Sequence, residues 1–317
     1  MQNELYTLEQ SSFLSHDGKS RVAYYIFIPQ STALKGIIQI SHGMCEYIMR
    51  YEPFAREMCK KGFVVCGNDH IGHGNTAPSP DMLGYTAISD GASIMVRDVR
   101  MLSGIIRNRF PKLPLFLLGH SMGSFVARLY IERYGNELAG AIISGTGGPE
   151  SPTAIGKLLA KGIIKFKGEM HRSKLLNKLA FGSYNKKFKE NDEHAWLTRD
   201  KEIREKYAAD ELCSFKFTAR GFYDLFDMLG SVSTKEWAKS LPRELPVLII
   251  SGECDPVGNY GKGVTKVYKR MDKAGMEDVT FRLYHGARHE LLNETGRDEI
   301  IEHTLDWLEE HIESEEI

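Results

Sequence analysis

Short, almost continuous apolar runs alternate along most of the chain with longer stretches of helical spacing. The runs cover residues 36–40, 63–66, 115–118, 138–143, 247–250 and 279–283. Runs of this length and continuity are typical of strands buried on both faces. Between them apolar side chains recur at helical intervals, as in 94–106 and 126–134. The alternation predicts an α/β fold, with a mostly parallel central sheet covered by helices and joined by right-handed crossovers.

Two segments depart from this alternation. Near the N-terminus, residues 11–15 and 22–28 flank the turn signal Asp17-Gly18, which predicts an antiparallel hairpin. Residues 149–241 contain helix-like runs without a convincing strand, and they are rich in lysine first and in aromatic residues later. We therefore expect a core domain of residues 1–148 and 242–317 with a helical cap inserted at 149–241. A helical decoration away from any site, with solvated lysines, would explain the same composition.

The overall charge and the cysteines limit the class of protein. The formal net charge is -1 and the sequence pI is about 6.8, so no global field attracts nucleic acid. The first residues lack the basic and apolar regions of a secretory signal, and no apolar run approaches the roughly 18 residues that cross a bilayer. Five scattered cysteines without a CxxC pair favour reduced thiols in a cytoplasm. The acidic end, 313–316, is predicted to be a solvated tail.

The strongest local motif is Gly-His-Ser-Met-Gly at 119–123, between the apolar run 115–118 and a helical pattern. A serine in such a sharp strand-to-helix turn has its hydroxyl lifted above the sheet edge, and the helix N-terminus faces negative charge that develops there. The bare pattern is weak, since average residue usage produces it in roughly one chain in ten of this size. Its position between a strand and a helix makes Ser121 a candidate nucleophile.

Three further segments support this interpretation. A glycine-containing loop at 41–44, an acidic turn at 252–256 and a histidine-containing turn at 285–290 each follow a predicted strand. Parallel sheets build their sites at these carboxyl ends. The chain order serine, aspartate, histidine predicts Ser121 as nucleophile, Asp255 as orienting acid and His289 as base. The backbone N–H groups of Met44 and Met122 are the predicted oxyanion hole.

Other residues compete for these roles. Asp69 also follows a strand but precedes the serine, and Glu253 lies nearer its strand than Asp255 does. The alternatives to His289 are His285, which we expect to finish a strand, and His70 and His73, which we expect to brace loops. We expect His120 to be a packing residue. The spacing of His70 and His73 lacks the acids or cysteines of a metal site, so no metal is expected.

Together these segments resemble the monoacylglycerol lipase and lysophospholipase group of α/β-hydrolases, which shares a sequence family with some serine aminopeptidases. The matching segments are His42-Gly43 with Glu46 and Arg50-Tyr51, then 69–74, 119–123, 252–256 and the His289 segment. The resemblance implies the α/β-hydrolase fold and a helical cap that shapes an apolar acyl channel. It implies hydrolysis of single-acyl-chain lipid esters, monoacylglycerols or lysophospholipids, through an acyl-enzyme, with no cofactor and no metal.

Several functional expectations remain open alternatives. The expected apolar lining of the cap is Phe217, Phe222 and Phe226. A serine peptidase on the same triad and a short-chain esterase compete with the lipid esterase, although the basic first half of the insertion disfavours binding of a substrate ammonium group. A non-catalytic protein that kept the fold is a third alternative. The basic, amphipathic insertion is also compatible with peripheral contact to an anionic membrane, or with solvated lysines. The oligomeric state is not predicted.

Overall fold

The computed structural model describes residues 5–30, 33–149 and 152–312. The acidic end at 313–316 therefore lies outside the described residues. The described residues form an eight-stranded sheet in the order β1-β2-β4-β3-β5-β6-β7-β8. The strands are β1 (Tyr6–Leu14), β2 (Arg21–Pro29), β3 (Gly36–Ser41), β4 (Phe63–Asn68), β5 (Leu115–His120), β6 (Gly140–Ser144), β7 (Val247–Gly252) and β8 (Val279–Tyr284).

The sheet confirms the predicted fold class. β1 and β2 pair as an antiparallel hairpin, in which Tyr6 lies opposite Pro29, and β2 pairs antiparallel with β4. All other neighbouring strands are parallel. Every residue of β3, β4, β5, β6 and β7 is buried, as expected for strands covered on both faces. Their carboxyl ends consequently share one edge of the sheet.

The last strand departs from the sequence prediction. The apolar run 279–283 predicts a strand buried on both faces, but β8 alternates between half-buried and exposed positions and Leu283 is exposed. The physical reason is its place at the end of the sheet, where it pairs with β7 alone. Exposed Thr280 and Arg282 break the apolar run in the way that an edge strand requires.

Helices outside residues 149–241 cover the two faces of the sheet. These helices are α1 (Glu52–Lys60), α2 (Gly91–Arg109), α3 (Met122–Tyr134), α9 (Lys262–Lys273) and α10 (Arg297–Glu310). Apolar side chains of α1 and α10 pack together in one core cluster, and those of α2, α3 and α9 pack in another. Each helix has one apolar stripe to bury, so two layers of helices enclose the sheet.

Between β6 and β7 the chain forms five helices within its described residues. They are α4 (Thr153–Lys167), α5 (Lys174–Phe181), α6 (Lys201–Ala209), α7 (Ala219–Ser231) and α8 (Lys235–Lys239). We call residues 149–241 the insertion. Its buried aromatic side chains join the core cluster of α2, α3 and α9, so the insertion packs onto the sheet domain. Over the described part of the chain, no helix combines the length and apolar character needed to span a bilayer.

Candidate active site

Ser121 lies in the turn between β5 and α3, at the carboxyl end of a central strand. Its backbone has φ 54° and ψ -121°, a region that non-glycine residues rarely adopt. The Ser121 N–H donates to the carbonyl of Ser144 on the neighbouring strand, at 3.0 Å. A Cβ at Gly123 would collide with the carbonyl oxygens of Ser41 and His42. Glycine is therefore required for the backbones to approach closely enough to hold this turn.

Asp255 and His289 meet at the same edge of the sheet. Asp255 follows β7 and His289 follows β8, and His289 Nδ1 lies 3.0 Å from Asp255 Oδ2. Their side chains are 0% and 2% exposed. The other carboxylate oxygen, Oδ1, accepts the Val257 N–H at 2.8 Å, which fixes the carboxyl group. Such a pair holds an imidazole in one tautomer with Nε2 free to accept a proton.

The serine turn and the histidine loop are in contact. The ring of His120, the residue before Ser121, lies 4.8 Å from the ring of His289, and a Cβ at Gly145 would lie 3.1 Å from His289 Nδ1. Gly145 directly follows Ser144, which holds the Ser121 N–H. Among the described residues no hydrogen bond joins the Ser121 hydroxyl to His289. Such bonds often tighten only when substrate is bound.

The loop after β3 lies directly over Ser121, because a Cβ at Gly43 would be 3.0 Å from the Cβ of Ser121. The Gly43 N–H is already used, since it donates to Glu46 Oε1. Within the described chain the next N–H, that of Met44, has no hydrogen-bond acceptor. Met122 opens α3, so its N–H has no acceptor inside the helix. Among the described residues these two predicted oxyanion donors therefore have no acceptor, and both lie on segments next to Ser121.

A buried network of charged groups lies behind this loop. Glu46 Oε1 lies 3.0 Å from His120 Nδ1 and accepts the Tyr51 hydroxyl at 2.9 Å, while Oε2 accepts Arg50 at 2.8 Å. Arg50 also forms a two-pronged ion pair with Glu290, the residue after His289, at 2.9 and 2.8 Å. The network therefore ties the loop after β3 to both the serine turn and the histidine loop.

The charges of this network are mutually stabilised. Burial alone would raise the pKa of Glu46, but its hydrogen bond to His120 and the charges of His120 and Arg50 hold that pKa well below its usual range. Burial alone would lower the pKa of His120, but Glu46 raises it above its ordinary value. His120 is therefore more than the packing residue expected from the sequence, because it is the hydrogen-bonded partner of a buried carboxylate.

The insertion contributes a chain of aromatic rings to the site. The ring of Trp196 lies 5.0 Å from the His289 ring, and Trp196 stacks on Phe181 at 6.2 Å. Phe181 contacts Phe222 at 6.3 Å, and Phe222 contacts Phe226 at 6.1 Å. The ring next to the histidine is Trp196, which sequence patterns did not single out because its segment has no helical or strand periodicity.

The three phenylalanines predicted to line the insertion are buried, but they differ in position. Phe217 lies against His73, with ring centroids 5.3 Å apart, and Phe222 is 5.9 Å from Phe217. Phe226 packs against α4, where a Cβ at Gly156 would lie 2.8 Å from its ring. They form one aromatic cluster that reaches His289 through Phe181 and Trp196.

The alternative residues lie in other roles. Asp69 accepts the N–H groups of Ile48 and Asn75, so it fixes two loops. His285 is almost fully exposed and lies 2.7 Å from the Glu253 carboxylate, away from Asp255. The structure thus pairs His289 with Asp255 and leaves these rivals elsewhere.

Two other buried histidines, His70 and His73, brace the loop after β4. His70 Nε2 lies 2.9 Å from the Ser41 hydroxyl, and His73 Nδ1 lies 3.0 Å from the Ile71 carbonyl oxygen. Burial and the charge of His42 lower the pKa of His73 to about 3. Among the described residues no group of three histidine, cysteine or carboxylate side chains is arranged to hold a metal ion.

Comparison with known proteins identifies the family. Residues 32–296 match the family model described as serine aminopeptidase, S33. The chain belongs to this family. It is 28% identical over 295 residues to a monoacylglycerol lipase of Mycolicibacterium smegmatis, covering 93% of this chain and 95% of that protein. It is 29% identical over 266 residues to human monoglyceride lipase, covering 82% of this chain and 77% of that protein.

A solved structure supports the same placement. The crystal structure of a highly thermostable carboxyl esterase from Bacillus coagulans, in complex with glycerol, superposes with a TM-score of 0.90 and 31% sequence identity. The match covers 96% of this chain and 99% of that chain. The prediction of an α/β-hydrolase is therefore confirmed, and this S33-family protein is a hydrolase.

Proposed function

We propose that this hydrolase cleaves carboxylic esters of single-acyl-chain lipids, monoacylglycerols or lysophospholipids, through an acyl-enzyme on Ser121. The observation that carries the proposal is the buried pair of His289 and Asp255, 3.0 Å apart, beside the strained turn of Ser121. A serine hydroxyl is a poor nucleophile at neutral pH, and a histidine held by a buried carboxylate is the group that activates it.

In the first half of the reaction, Ser121 Oγ attacks the ester carbonyl carbon while its proton passes to His289 Nε2. Asp255 stabilises the imidazolium that forms. The negative oxygen of the tetrahedral intermediate accepts the N–H groups of Met44 and Met122, and the loss of one such donor costs about 3 kcal/mol. When the intermediate collapses, the C–O bond to the alcohol breaks and His289 returns the proton to that alcohol.

In the second half, water replaces the alcohol. His289 takes a proton from the water as its oxygen attacks the acyl carbon, and the same two N–H groups hold the second oxyanion. Collapse breaks the bond to Ser121 Oγ, which regains a proton from His289, and the fatty acid leaves. His289 therefore mediates every proton transfer in this reaction sequence.

The aromatic cluster of the insertion supports a long acyl chain as the group transferred. Trp196 contacts His289, and the rings of Phe181, Phe222 and Phe226 extend from it, with Phe226 in contact with Gly156 of α4. Apolar lining of this kind binds hydrocarbon, since it provides no hydrogen bonds for a polar chain. We propose that residues 149–241 act as the cap over the substrate, with Phe217, Phe222 and Phe226 as part of its lining.

A serine peptidase is the main alternative, because the description of the matching family names a serine aminopeptidase. An aminopeptidase needs a free acid to hold the substrate ammonium group. The buried acids beside this site, Glu46 and Glu290, are both paired with Arg50. Neither acid is available for that task, which favours an ester over a peptide substrate. A short-chain esterase on the same triad is distinguished from the lipid esterase by experiment.

The deciding experiment compares fatty-acid release from a long-chain monoacylglycerol and the matching lysophospholipid with hydrolysis of a short-chain aryl ester. Wild type and Ser121→Ala are assayed together, with the exposed Ser240→Ala as the matched control. We expect long-chain turnover that is lost only in Ser121→Ala. Turnover of the short ester alone would contradict the lipid assignment. Full activity of Ser121→Ala, or faster cleavage of an amino-acid anilide than of any ester, would contradict the proposal as a whole.

We further propose that the enzyme works in the cytoplasm and contacts an anionic membrane through α4 and α5. All five cysteines are free, in agreement with a reducing compartment. Ile155, Leu158 and Phe166 are 61%, 72% and 83% exposed on α4, and Leu175 is 56% exposed on α5. Five exposed lysines share this segment: Lys161, Lys165, Lys167, Lys174 and Lys178. Apolar side chains among lysines suit the interface of an anionic bilayer.

Liposome flotation tests this contact. We expect wild type to bind phosphatidylglycerol vesicles at low salt and phosphatidylcholine vesicles much less. Phe166→Asp should release the protein, whereas Leu14→Asp, which places the same charge on an exposed leucine of β1, should not. Absence of wild-type binding at every salt concentration, or equal loss in both variants, would contradict membrane contact.

A further inference from the structure

One segment of the insertion, residues 195–199, lies along the loop that carries His289. The Glu290 N–H donates to the Leu197 carbonyl at 2.7 Å, and the His289 N–H donates to the Trp196 carbonyl at 3.4 Å. Farther along, the Thr198 hydroxyl donates to the Asn293 carbonyl at 2.9 Å. Backbone groups of the insertion therefore hold the backbone of the histidine itself and of the residues that follow it.

The carboxylate of Glu294 joins these two segments. Its Oε1 accepts the N–H of Arg288, the residue before His289, at 2.8 Å and the N–H of Arg199 at 3.2 Å. Its Oε2 accepts Arg199 Nε at 2.9 Å and the Thr295 N–H at 3.0 Å. The side chain of Glu294 is fully buried, whereas that of Arg199 is 39% exposed. Four donors, one of them the charged guanidinium of Arg199, compensate the burial of this charge.

Trp196 extends the same contact to the imidazole. Its ring is 5.0 Å from the His289 ring at an interplanar angle of 38°. Asp255 holds Nδ1 of the same ring. The imidazole is thus constrained by a hydrogen bond and by an aromatic neighbour, and the position of that neighbour depends on the segment that Glu294 holds.

We propose that Glu294 is a positioning residue for His289, and that it acts by joining the histidine loop to residues 195–199 of the insertion. The inference rests on the proposed role of His289 as the base. It deepens that role, because this segment is then a fixed part of the active site and does not open with a lid. General-base catalysis depends on such positioning, and a misplacement of about 1 Å can cost about 100-fold in rate.

Glu294→Gln is the sharpest test because it changes the shape of the side chain very little. The substitution replaces one carboxylate oxygen by an NH2 group, which cannot accept a hydrogen bond. At least one pair of N–H donors would therefore lose its acceptor. We expect kcat for a short, soluble aryl ester and the rate of labelling by a fluorophosphonate to fall about 10- to 100-fold, with KM little changed. The pH profile of kcat/KM should shift, and so should the low-field proton resonance of the His289–Asp255 hydrogen bond.

Two further variants separate positioning from folding. Glu137→Gln makes the same change at a half-exposed acid paired with Arg100 and Arg107, and it should leave all these readouts unchanged. Arg199→Lys keeps the charge but loses the Nε donor, so we expect a smaller decrease in the same readouts. Because Arg199 is partly exposed, this variant should still fold, and it decides the question if Glu294→Gln does not.

The outcomes distinguish this inference from the proposed function. A folded Glu294→Gln protein, with a wild-type melting temperature, labelling rate, pH profile and proton resonance, would overturn the positioning role while Ser121→Ala remains inactive. For Arg199→Lys the same set of wild-type values would overturn it. If Ser121→Ala retained full activity, the proposed function would fail and the positioning role would fail with it.

Discussion

Glu46 and His120 form a buried pair, with 3.0 Å between Oε1 and Nδ1, and His120 is the residue that precedes Ser121. Their side chains are only 4% and 8% exposed. The same carboxylate accepts the Gly43 N–H, so one buried acid contacts both the serine turn and the loop after β3, which carries the proposed oxyanion donor Met44. Its charge therefore has consequences for stability and for the reaction.

Glu46→Gln should destabilise the protein strongly. The amide keeps one acceptor oxygen, so the donors on the other oxygen would face an NH2 group, and His120 and Arg50 would lose a buried counter-charge. Removal of one partner of a buried ion pair typically costs about 3–5 kcal/mol. Urea unfolding measures this loss, and kcat for a soluble ester should fall together with stability because the loop after β3, with its proposed oxyanion donor, is released.

The matched control is Glu57→Gln, at a half-exposed acid that pairs with Lys60 within α1. Exposed pairs of this kind contribute less than about 1 kcal/mol, so stability and kcat should be nearly unchanged. A Glu46→Gln variant as stable as Glu57→Gln would contradict the importance assigned to the buried pair.

Gly123→Ala should abolish the serine turn. The added Cβ would meet the carbonyl oxygens of Ser41 and His42, which are backbone atoms that cannot move aside. We expect a loss of more than about 4 kcal/mol, or no folded protein, in circular dichroism and thermal melting. Gly104→Ala is the matched control because Gly104 lies exposed in α2 with open space around it. It should raise stability by about 0.5–1 kcal/mol. Equal effects of the two substitutions would contradict this explanation.

The sheet could be predicted from the sequence because strands that are buried on both faces have continuous apolar runs. The runs at 36–40 and 115–118 lie within β3 and β5, and the turn signal at Asp17-Gly18 lies between β1 and β2. The position of β8 was predicted correctly but its burial was not. Thr280 and Arg282 within the run indicate exposure, whereas the place of the strand at the end of the sheet depends on the order of the strands. The serine motif could also be predicted, because its glycines and the strand and helix on either side of it are adjacent in the sequence.

Contacts between distant segments could not be predicted in this way. Arg50 and Glu290 are 240 positions apart, and nothing periodic around either residue indicates the other. Glu46 and Arg50 entered the sequence analysis only through resemblance to a family. Trp196 and Glu294 lie in irregular segments, where neither the helical nor the strand period applies, so their contact with the histidine loop becomes visible only in three dimensions.

Arg128→Met should loosen the junction between the insertion and the sheet domain. Arg128 is fully buried on α3. It donates to the Gly147 carbonyl, before α4, at 3.0 Å and to the Val232 carbonyl, after α7. Burial and repulsion from Arg270 lower the pKa of its guanidinium to about 9. Methionine removes this unfavourable charge but leaves two buried carbonyls without their donor. We expect a net loss of about 2 kcal/mol.

Urea unfolding and limited proteolysis measure this loss, with Arg133→Met on the more exposed end of α3 as the control. The insertion of Arg128→Met should be cleaved faster than that of Arg133→Met. Unchanged stability together with unchanged cleavage would mean that relief of the buried charge fully offsets the lost hydrogen bonds.

Acid should weaken the fold through the buried histidines, and His73 isolates the effect. Burial and the charge of His42 lower the pKa of His73 to about 3. Its ring is then neutral in the folded protein and takes a proton only on unfolding. Because the unfolded chain binds the extra proton between about pH 6.5 and pH 3, stability must fall as the pH falls through this window. The slope from one such group is at most about 1.4 kcal/mol per pH unit.

The comparison of wild type with His73→Asn measures that slope. Asparagine keeps a donor that can reach the Ile71 carbonyl, as His73 Nδ1 does, but it does not titrate. Urea unfolding from pH 7.5 to pH 4.5 should therefore give His73→Asn a shallower decline by up to one proton. His285→Asn, at an almost fully exposed histidine, should keep the wild-type slope. If wild type and His73→Asn declined in parallel, His73 would have to be protonated in the folded protein, and burial would not have lowered its pKa.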